Sequence, residues 1–577
     1  MNLVIHLLGA PCVALDGSPQ PPPRGNKPWG LLTYLLLTSA PVSRAHLSTL
    51  LFADADDPLA TLRWNLSQVR RLLGPGESLG GDPVVVQLDA EALVDARTVV
   101  SGTWERAAAL PGVGHDLLGA MSFPGCPSFE VWLETERRHL RGATESLLHE
   151  GALASLAQGD AQRAADLAGH LVRLNPYDED FQSLLVRALA TAGEGVAAAR
   201  QVAACRELFR RELGCKPGPA LAAAAATVTA TPTAPASGGS AAVAALLEAG
   251  IAAIGAGAVE PGLQCLRRAV TDARSMSDRG LEARALASLG GALVHAVRGR
   301  DEEGAMALHQ AVATAHPSYL RVVADACREL GYVEFLRARY DRVESWLHRA
   351  ESAAGDDLAQ LAKIATVRGS TASDIGSYDL ALVALTSACA DAADDRDAAY
   401  AWSMLGRLHL LQAELDKARN ALDQSMALTM RAGWTAFMPW PESLRAHVDL
   451  FEGDLNGAQK HLDHAFALSC HIGDPCWEGV AARGLGLLHA ARGETDRAIA
   501  TLRDARARCT RFPDGYVWLD AWILDALATI TVGSRDTAAH EQVEELDRLA
   551  ARSGMREHLA RAQLLRAQLG ERHLPDP

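Results

Sequence analysis

Arg63, Arg70 and Arg71 stand with Thr61, Asn65, Ser67 and Gln68 in the stretch DPLATLRWNLSQVRRLLG, residues 57–74, which carries no acid after its first residue. A guanidinium neutralises a phosphate or grips the edge of guanine bidentately, and Asn or Gln can do the same for adenine. The chemistry on offer is recognition of duplex DNA, not bond-making. A merely solvated polar face would show the same residue types, so the elements around these side chains must decide.

The stretch reads as one helix. Asp57 is placed as N-cap, Pro58 as the first helical residue and Gly74 as the left-handed exit. Leu62, Leu66, Val69 and Leu73 fall in one narrow stripe at 100° per residue, so one face is buried and the polar side chains face outward. Trp64 lies on that outward face and is expected to pack on a wing, because duplex bases are closed to stacking.

Upstream, Leu3 to Leu8 and Cys12 to Leu15 are short apolar runs around Gly9-Ala10-Pro11, followed by the turn signal Asp16-Gly17. Pro28 opens a helix with Trp29, Leu32, Leu35 and Leu36 on one side. Ser43 caps a second helix carrying Leu47, Leu50 and Leu51, and Arg44 at its start joins the DNA-facing set. After the third helix, Gly80-Gly81-Asp82-Pro83 leads into a strand, Val84 to Leu88, that closes a wing. Strands, three helices and a hairpin make a winged helix-turn-helix whose third helix enters the major groove.

The run from Lys27 through SRAHLSTLLF to WNLSQVRRLLG, followed by a helical segment ending in FRRELGCKPGPAL, resembles the Streptomyces antibiotic regulatory protein family over residues 1–226. The resemblance implies a winged helix joined to a bacterial transcriptional activator domain that binds direct repeats near promoters, self-associates and contacts RNA polymerase. It places the DNA-facing positions on Asn65, Ser67, Gln68 and Arg70. Gln68 stands where the family often has Arg, the wing from Ser78 to Leu88 holds no base, and its usual Pro-Gly-Tyr turn is missing. Residues 1–98 hold seven bases against nine acids, a net of −2, so phosphate anchoring is weak and binding leans on adjacent subunits.

Composition narrows the classes further. A net charge of −15 argues against non-specific adhesion to nucleic acid or anionic lipid, so any DNA contact is local. Ten cysteines without a C-x-x-C pair fit a reducing compartment and give no zinc site. The N-terminus lacks a signal-peptide layout, and a cytoplasmic protein without a membrane partner is expected.

Between 99 and 226 the chain is helical. Val131 to Leu148 forms its first long helix, ALASLAQGDAQRAADLAGHLVRLNP has the form of a tetratricopeptide hairpin, and Lys216-Pro217-Gly218-Pro219 is a stop. TVTATPTAPASGGS, residues 227–240, has linker composition. In 241–577 a small residue recurs at Gly257, Gly299, Ala338, Gly376, Ala413, Gly453, Gly493 and Gly533, in steps of 37 to 42. Seven residues before each stands Gly or Ala, and nine after stands Leu266, Leu308, Leu347, Leu385, Leu422, Leu462 or Leu502. Close-packed helix pairs with Leu filling the groove give about eight repeats of a tetratricopeptide-type α-solenoid with a concave inner face.

Arg328, Tyr332, Ser403, Arg407, Ser443, His447 and Arg483 are placed on that face, either as ordinarily solvated positions or as a groove for an unknown ligand or protein. Trp434, Trp440 and AGWTAFMPWP read as repeat core or as the rim of a pocket. The segment 434–556, with CHIGDPCWEG and ARSGMRE, is similar to the repeat regions of large ATP-dependent LuxR-type regulators, but G-x-x-x-x-G-K-[ST] is missing and no nucleotide cofactor is expected. His295, His409 and His489 share one repeat register, where a packing residue belongs, and form no metal cluster. Catalytic motifs are lacking.

The fold class is mainly α, with an α+β winged helix at 1–98, a helical activator domain at 99–226, a linker at 227–240 and a solenoid at 241–577. The function read from these parts is a DNA-binding transcriptional activator whose repeats sense a ligand or partner. The alternative is a repeat-based adaptor whose winged helix no longer binds DNA usefully.

Overall fold

The acidic turn Asp16-Gly17, both residues at positive φ (47° and 78°), folds the first strands into a hairpin. In the computed structural model, β1 (Leu3–His6) pairs antiparallel with β2 (Cys12–Leu15), and β2 with the edge strand β3 (Ser18–Pro19). The structure describes residues 3–38, 41–74, 78–218, 221, 224, 239–255, 259–296, 299–315, 319–511 and 515–571. Pro219, most of the proposed linker (227–238) and the repeat position Gly257 lie outside them. The described chain forms two compact units, Met1–Gly151 with Gly169–Pro176, and Ala152–Ala168 with Tyr177–Pro577.

In the first unit, three helices follow the hairpin: α1 (Lys27–Leu37), α2 (Arg44–Phe52) and α3 (Pro58–Leu73). Their caps are those expected. Ser43 accepts from the His46 N–H and Asp57 from the Ala60 N–H. Gly74 ends α3 with a positive φ of 87° but an extended ψ of −179°, not the left-handed helical pair. A side chain there would press on the end of Leu15, and the positive φ is what favours glycine. The wing is β4 (Ser78–Gly80) against β5 (Val85–Gln87), and Val42 bridges to Val84 beside it.

Two features of this unit escaped the pattern reading. A two-residue strand, β6 (Leu93–Val94), lies parallel to β1 and completes the sheet order β3-β2-β1-β6. The next residue, Asp95, is fully buried and accepts from the Leu7 and Leu8 N–H groups at 2.8 and 3.1 Å, which satisfies the backbone where β1 ends. Burial raises its carboxyl above the ordinary range, and the amide donors work against that rise.

The long helix of the activator segment runs Pro127–Ala157, longer at both ends than Val131 to Leu148. It packs on α1 through aromatic rings: Tyr34 meets Trp132 edge-on at 4.7 Å, and Phe123 meets Phe129 at 4.7 Å. Gly30 is what lets them in, since a Cβ there would stand 2.7 Å from the Phe123 ring and 2.9 Å from the Phe129 ring.

In the second unit, Val186, Ala198, Val202, Cys205 and Phe209 form a core under helices Glu179–Thr191 and Gly195–Leu208. Glu179 accepts from the Gly218 and Leu221 N–H groups at 2.7 and 3.2 Å, which folds the Lys216-Pro217-Gly218 stop back onto this core.

From Ser240 onward the helices pair eight times, from Ser240–Gly255 with Val259–Ser275 to Val517–Ser534 with Ala539–Ser553, and Arg556–Glu571 follows. The recurring small residue is the turn between paired helices. Gly299, Ala338, Gly376, Ala413, Gly453 and Gly493 all have positive φ. Gly533 departs from this: it stays helical, and Arg535 (φ 62°) makes the turn. The seven repeat leucines are all fully buried, each worth about 1.5–3 kcal/mol of apolar transfer. A Cβ on Gly331, Gly369, Gly406 or Gly486 would come within 3.0 Å of the repeat leucine of its own pair. In the second repeat Gly290, not Ala292, is the residue against Leu308, two positions off the expected register.

Helix Val517–Ser534 is apolar and long enough to cross a membrane, but 61% of it is buried among the repeats. His409 and His489 are not plain packing residues. Each faces the Glu five residues on, across the turn: His409 hydrogen bonds to Glu414 at 2.7 Å, and His489 Nδ1 lies 2.9 Å from the Glu494 carboxylate without the geometry of a hydrogen bond. His295, whose partner position is Arg300, reaches Glu329 instead at 2.8 Å. No group of metal-ligating side chains is found among the described residues.

Candidate nucleic-acid interface

Helix α3 buries the expected stripe, with Leu62, Leu66, Val69 and Leu73 each at most 1% exposed. Leu72 and Asn65 are buried as well. Asn65 is therefore corrected: its Nδ2–H donates to the Thr61 carbonyl at 2.8 Å, so its amide is turned into the helix and is spent there. Arg63, Trp64, Arg70 and Arg71 are exposed, and Thr61, Ser67 and Gln68 half-buried. Trp64 is 47% exposed.

The arginines divide into two kinds. Among the described residues, Arg63 and Arg71 bond only to carbonyls of their own helix, Leu59 at 3.3 Å and Ser67 at 3.4 Å. Arg70 reaches out of the helix, and its Nε–H donates to the Leu79 carbonyl in β4 at 2.7 Å. Arg44 does the same from α2: its Nε–H donates to the Gly81 carbonyl at 2.9 Å, and its backbone N–H to the Asp82 carboxylate at 3.0 Å. The wing, which has no base of its own, is thus held between two guanidiniums supplied by the helices.

The solenoid residues form a second group. Arg407 is fully buried: its Nη2–H donates to Asp374 at 2.6 Å, its Nη1–H to the Tyr516 hydroxyl at 3.1 Å, and its plane stacks on Trp518 at 4.3 Å. Burial alone would pull its pKa down, but the Asp374 carboxylate holds it above the ordinary value. Tyr340 donates to the same carboxylate at 2.9 Å. Ser403, Ser443, His447 and Arg483 are also buried, which corrects the solvated reading: the inner face is filled by side chains from distant repeats. Asp374 and Tyr516, 142 residues apart, meet there. Arg328 stands apart in an acidic group, bonded to Glu329 at 2.7 Å with Asp325 at 3.8 Å, and Tyr332 packs against His295 at 4.9 Å.

Residues 87–229 match the bacterial transcriptional activator domain family. No curated protein matches the chain. Among solved structures, Mycobacterium tuberculosis EmbR in complex with a low-affinity phosphopeptide is 20% identical, over 39% of this chain and 65% of that one, with a TM-score of 0.31. This chain therefore spans just under two thirds of that protein. Yeast Tom70 is 11% identical over 78% of this chain and 95% of that one, with a TM-score of 0.32. A Rap protein complexed with competence and sporulation factor is 12% identical over 57% and 99%, with a TM-score of 0.39. The chain thus carries, in order, a winged helix, a segment that matches the bacterial transcriptional activator domain family and a helical repeat array.

Proposed function

We propose that the protein is a cytoplasmic activator that binds direct repeats near promoters through α3 and the wing, contacts RNA polymerase and associates with further copies on DNA. The winged helix occupies 1–98, the activator domain 99–226, a linker 227–240 and the repeats 241–577, which sense a small ligand or a partner. No catalytic step and no cofactor enters this reading. The observation that carries it is the division of labour among the arginines. Arg44 and Arg70 hold a base-free wing in place, which leaves Arg63 and Arg71 exposed on α3 beside Thr61, Ser67 and Gln68. Exposed guanidiniums beside a fixed wing suit phosphate and base-edge contact in the major groove.

Two observations favour the adaptor alternative: Asn65 is buried and residues 1–98 are net acidic. Sequencing of genomic fragments that co-purify with the full-length protein decides between them, with Arg63→Ala/Arg71→Ala as the comparison at two salt concentrations. Spaced direct repeats enriched by the native protein and lost by the variant support the activator. No enrichment at either salt supports the adaptor.

A further inference from the structure

The inner wall of the repeats is crossed by contacts that skip repeats, whereas in a solenoid each repeat touches only its neighbours. Tyr516, which opens helix Val517–Ser534 of the eighth repeat, meets Phe335 of the third at 5.1 Å between ring centres. Its hydroxyl donates to Asp374 of the fourth repeat at 3.1 Å and accepts from Arg407 of the fifth at 3.1 Å. Trp518 lies under the Arg407 guanidinium, and Trp522 meets His447 of the sixth repeat edge-on at 4.9 Å. Beyond the eighth pair, Glu557 of helix Arg556–Glu571 reaches back to the fourth repeat. A Cβ on Gly376 would stand 3.4 Å from the Glu557 Cγ, and burial together with the Glu557 carboxylate raises the Tyr378 hydroxyl above the ordinary range.

The two sides of this closure are unequal. Asp374 and Arg407 belong to adjacent repeats and pair at 2.6 Å. Tyr340 of the third repeat donates to Asp374 at 2.9 Å, and Arg407 also donates to the Ser370 carbonyl at 3.2 Å. None of these bonds depends on the eighth repeat. The hydroxyl that crosses from the far side is that of Tyr516. Its one proton goes to the carboxylate and its lone pairs take the guanidinium, so a single group caps both ends of an ion pair already made.

Closing over that pair sets opposing terms against each other. It buries Phe335, Tyr516 and Trp518, each at most 5% exposed, which favours closure. It also takes the charges of Asp374 and Arg407 out of water, a cost that their attraction does not automatically offset. Among the described residues, Arg407 Nε, the Trp440 indole N–H, the Ser443 hydroxyl and His447 Nδ1 are buried along the same wall without a hydrogen-bond partner. Each carries a penalty that water lifts. Opening keeps the Asp374–Arg407 pair, wets it and answers these four groups. Two packings of one sequence separated by such offsetting terms make a bistable element.

We propose that the repeats form a clasp with two states, closed as described here and open with Tyr516 and Trp518 withdrawn from the third, fourth and fifth repeats, and that Tyr516 is the latch. The inference rests on reading the repeats as a sensor, and it supplies the change of state by which they report.

The test is hydroxyl-radical footprinting of the full-length protein, read residue by residue by mass spectrometry, beside small-angle scattering and far-ultraviolet circular dichroism. Tyr516→Phe removes the crossing hydroxyl and little else. Oxidation of Trp518 and Phe335 should rise about tenfold, and the radius of gyration should grow while helix content is kept. Trp346, 3% exposed and packed on His309 of the preceding repeat at 5.3 Å, should stay protected, because contacts between neighbouring repeats are untouched. Replacing the whole hub by apolar residues (Asp374→Leu, Arg407→Met, Tyr340→Phe and Tyr516→Phe together) removes the charges that favour opening. That variant should oxidise at Trp518 less than the native protein.

The proposal is overturned if Tyr516→Phe leaves Trp518 and Phe335 as protected as before. It is overturned equally if Trp346 is oxidised in step with them or helix content falls, which would be plain unfolding, or if the apolar hub is more open than the native protein. The footprints are read without DNA. Failure of genomic enrichment with the footprints as expected would therefore remove the regulator reading and leave the clasp; unchanged footprints with enrichment intact would remove the clasp alone.

Discussion

The Nε–H of Arg70 donates to the carbonyl of Leu79 at 2.7 Å, so a residue of α3 is also a strut of the wing. Its substitution therefore tests two things at once. Arg63→Ala and Arg71→Ala should each lower DNA affinity and reduce the salt slope by about 1, with unchanged thermal stability. Arg70→Ala should lower affinity and also melt earlier. Fluorescence anisotropy across a salt series, beside melting curves, separates the cases, and equal stability loss in all three variants would refute the division.

Asp374→Asn leaves the Arg407 guanidinium buried without its counter-charge. Breaking a buried pair from one side costs about 3–5 kcal/mol. Denaturant unfolding should show a loss of that order, whereas Asp416→Asn, at an exposed pair with Arg419, should change stability by less than about 1 kcal/mol.

Glycine-to-alanine changes should differ by position within one repeat array. Gly406→Ala puts a Cβ 2.6 Å from Leu422 Cγ, and overpacking of this kind costs about 1–3 kcal/mol. Gly533 is helical with nothing near its missing Cβ, so Gly533→Ala should stabilise by about 0.5–1 kcal/mol. Melting temperatures moving in the same direction would contradict the packing account.

Stability should fall in mild acid. Burial pushes His309 down to about 3 and His558 down to about 4, in each case helped by nearby arginines (Arg349 at His309; Arg483, Arg561 and Arg407 at His558), while Asp525 opposes the shift at His558. Their folded values lie below the ordinary 6.5, so the unfolded chain takes up protons first as pH falls. The stability they contribute is complete above 6.5 and is lost progressively as pH drops toward 4 and then 3. For His558 this amounts to about 3 kcal/mol. His558→Gln should flatten the dependence of melting temperature on pH between 6.5 and 4, and an unaltered profile would rule the imidazole out.

What was legible in the sequence was whatever is periodic or capped. Asp57, Ser43 and the α3 stripe announce themselves within a turn or two of the chain, and the repeat turns do so by recurrence. Asn65 was misplaced because a wheel assigns a face but not a partner, and the Thr61 carbonyl one turn back claimed its amide. Asp95, Glu179 and Tyr516 gave no local signal at all, since their partners lie 39 to 142 residues away. The inner face of the solenoid misled for the same reason: isolated repeats would leave Arg407 wet, and only the winding of later repeats over earlier ones dries it.

Gly30 has a consequence for how this protein can be divided. The rings of Phe123 and Phe129 seat directly over it, against the first helix of the winged domain. A fragment cut at residue 98 would leave that helix with a bare apolar flank and would gather into aggregates. The smallest piece that can be handled as an independent winged domain therefore runs into the long helix beyond Trp132, and grafting that domain onto another protein requires carrying the helix along.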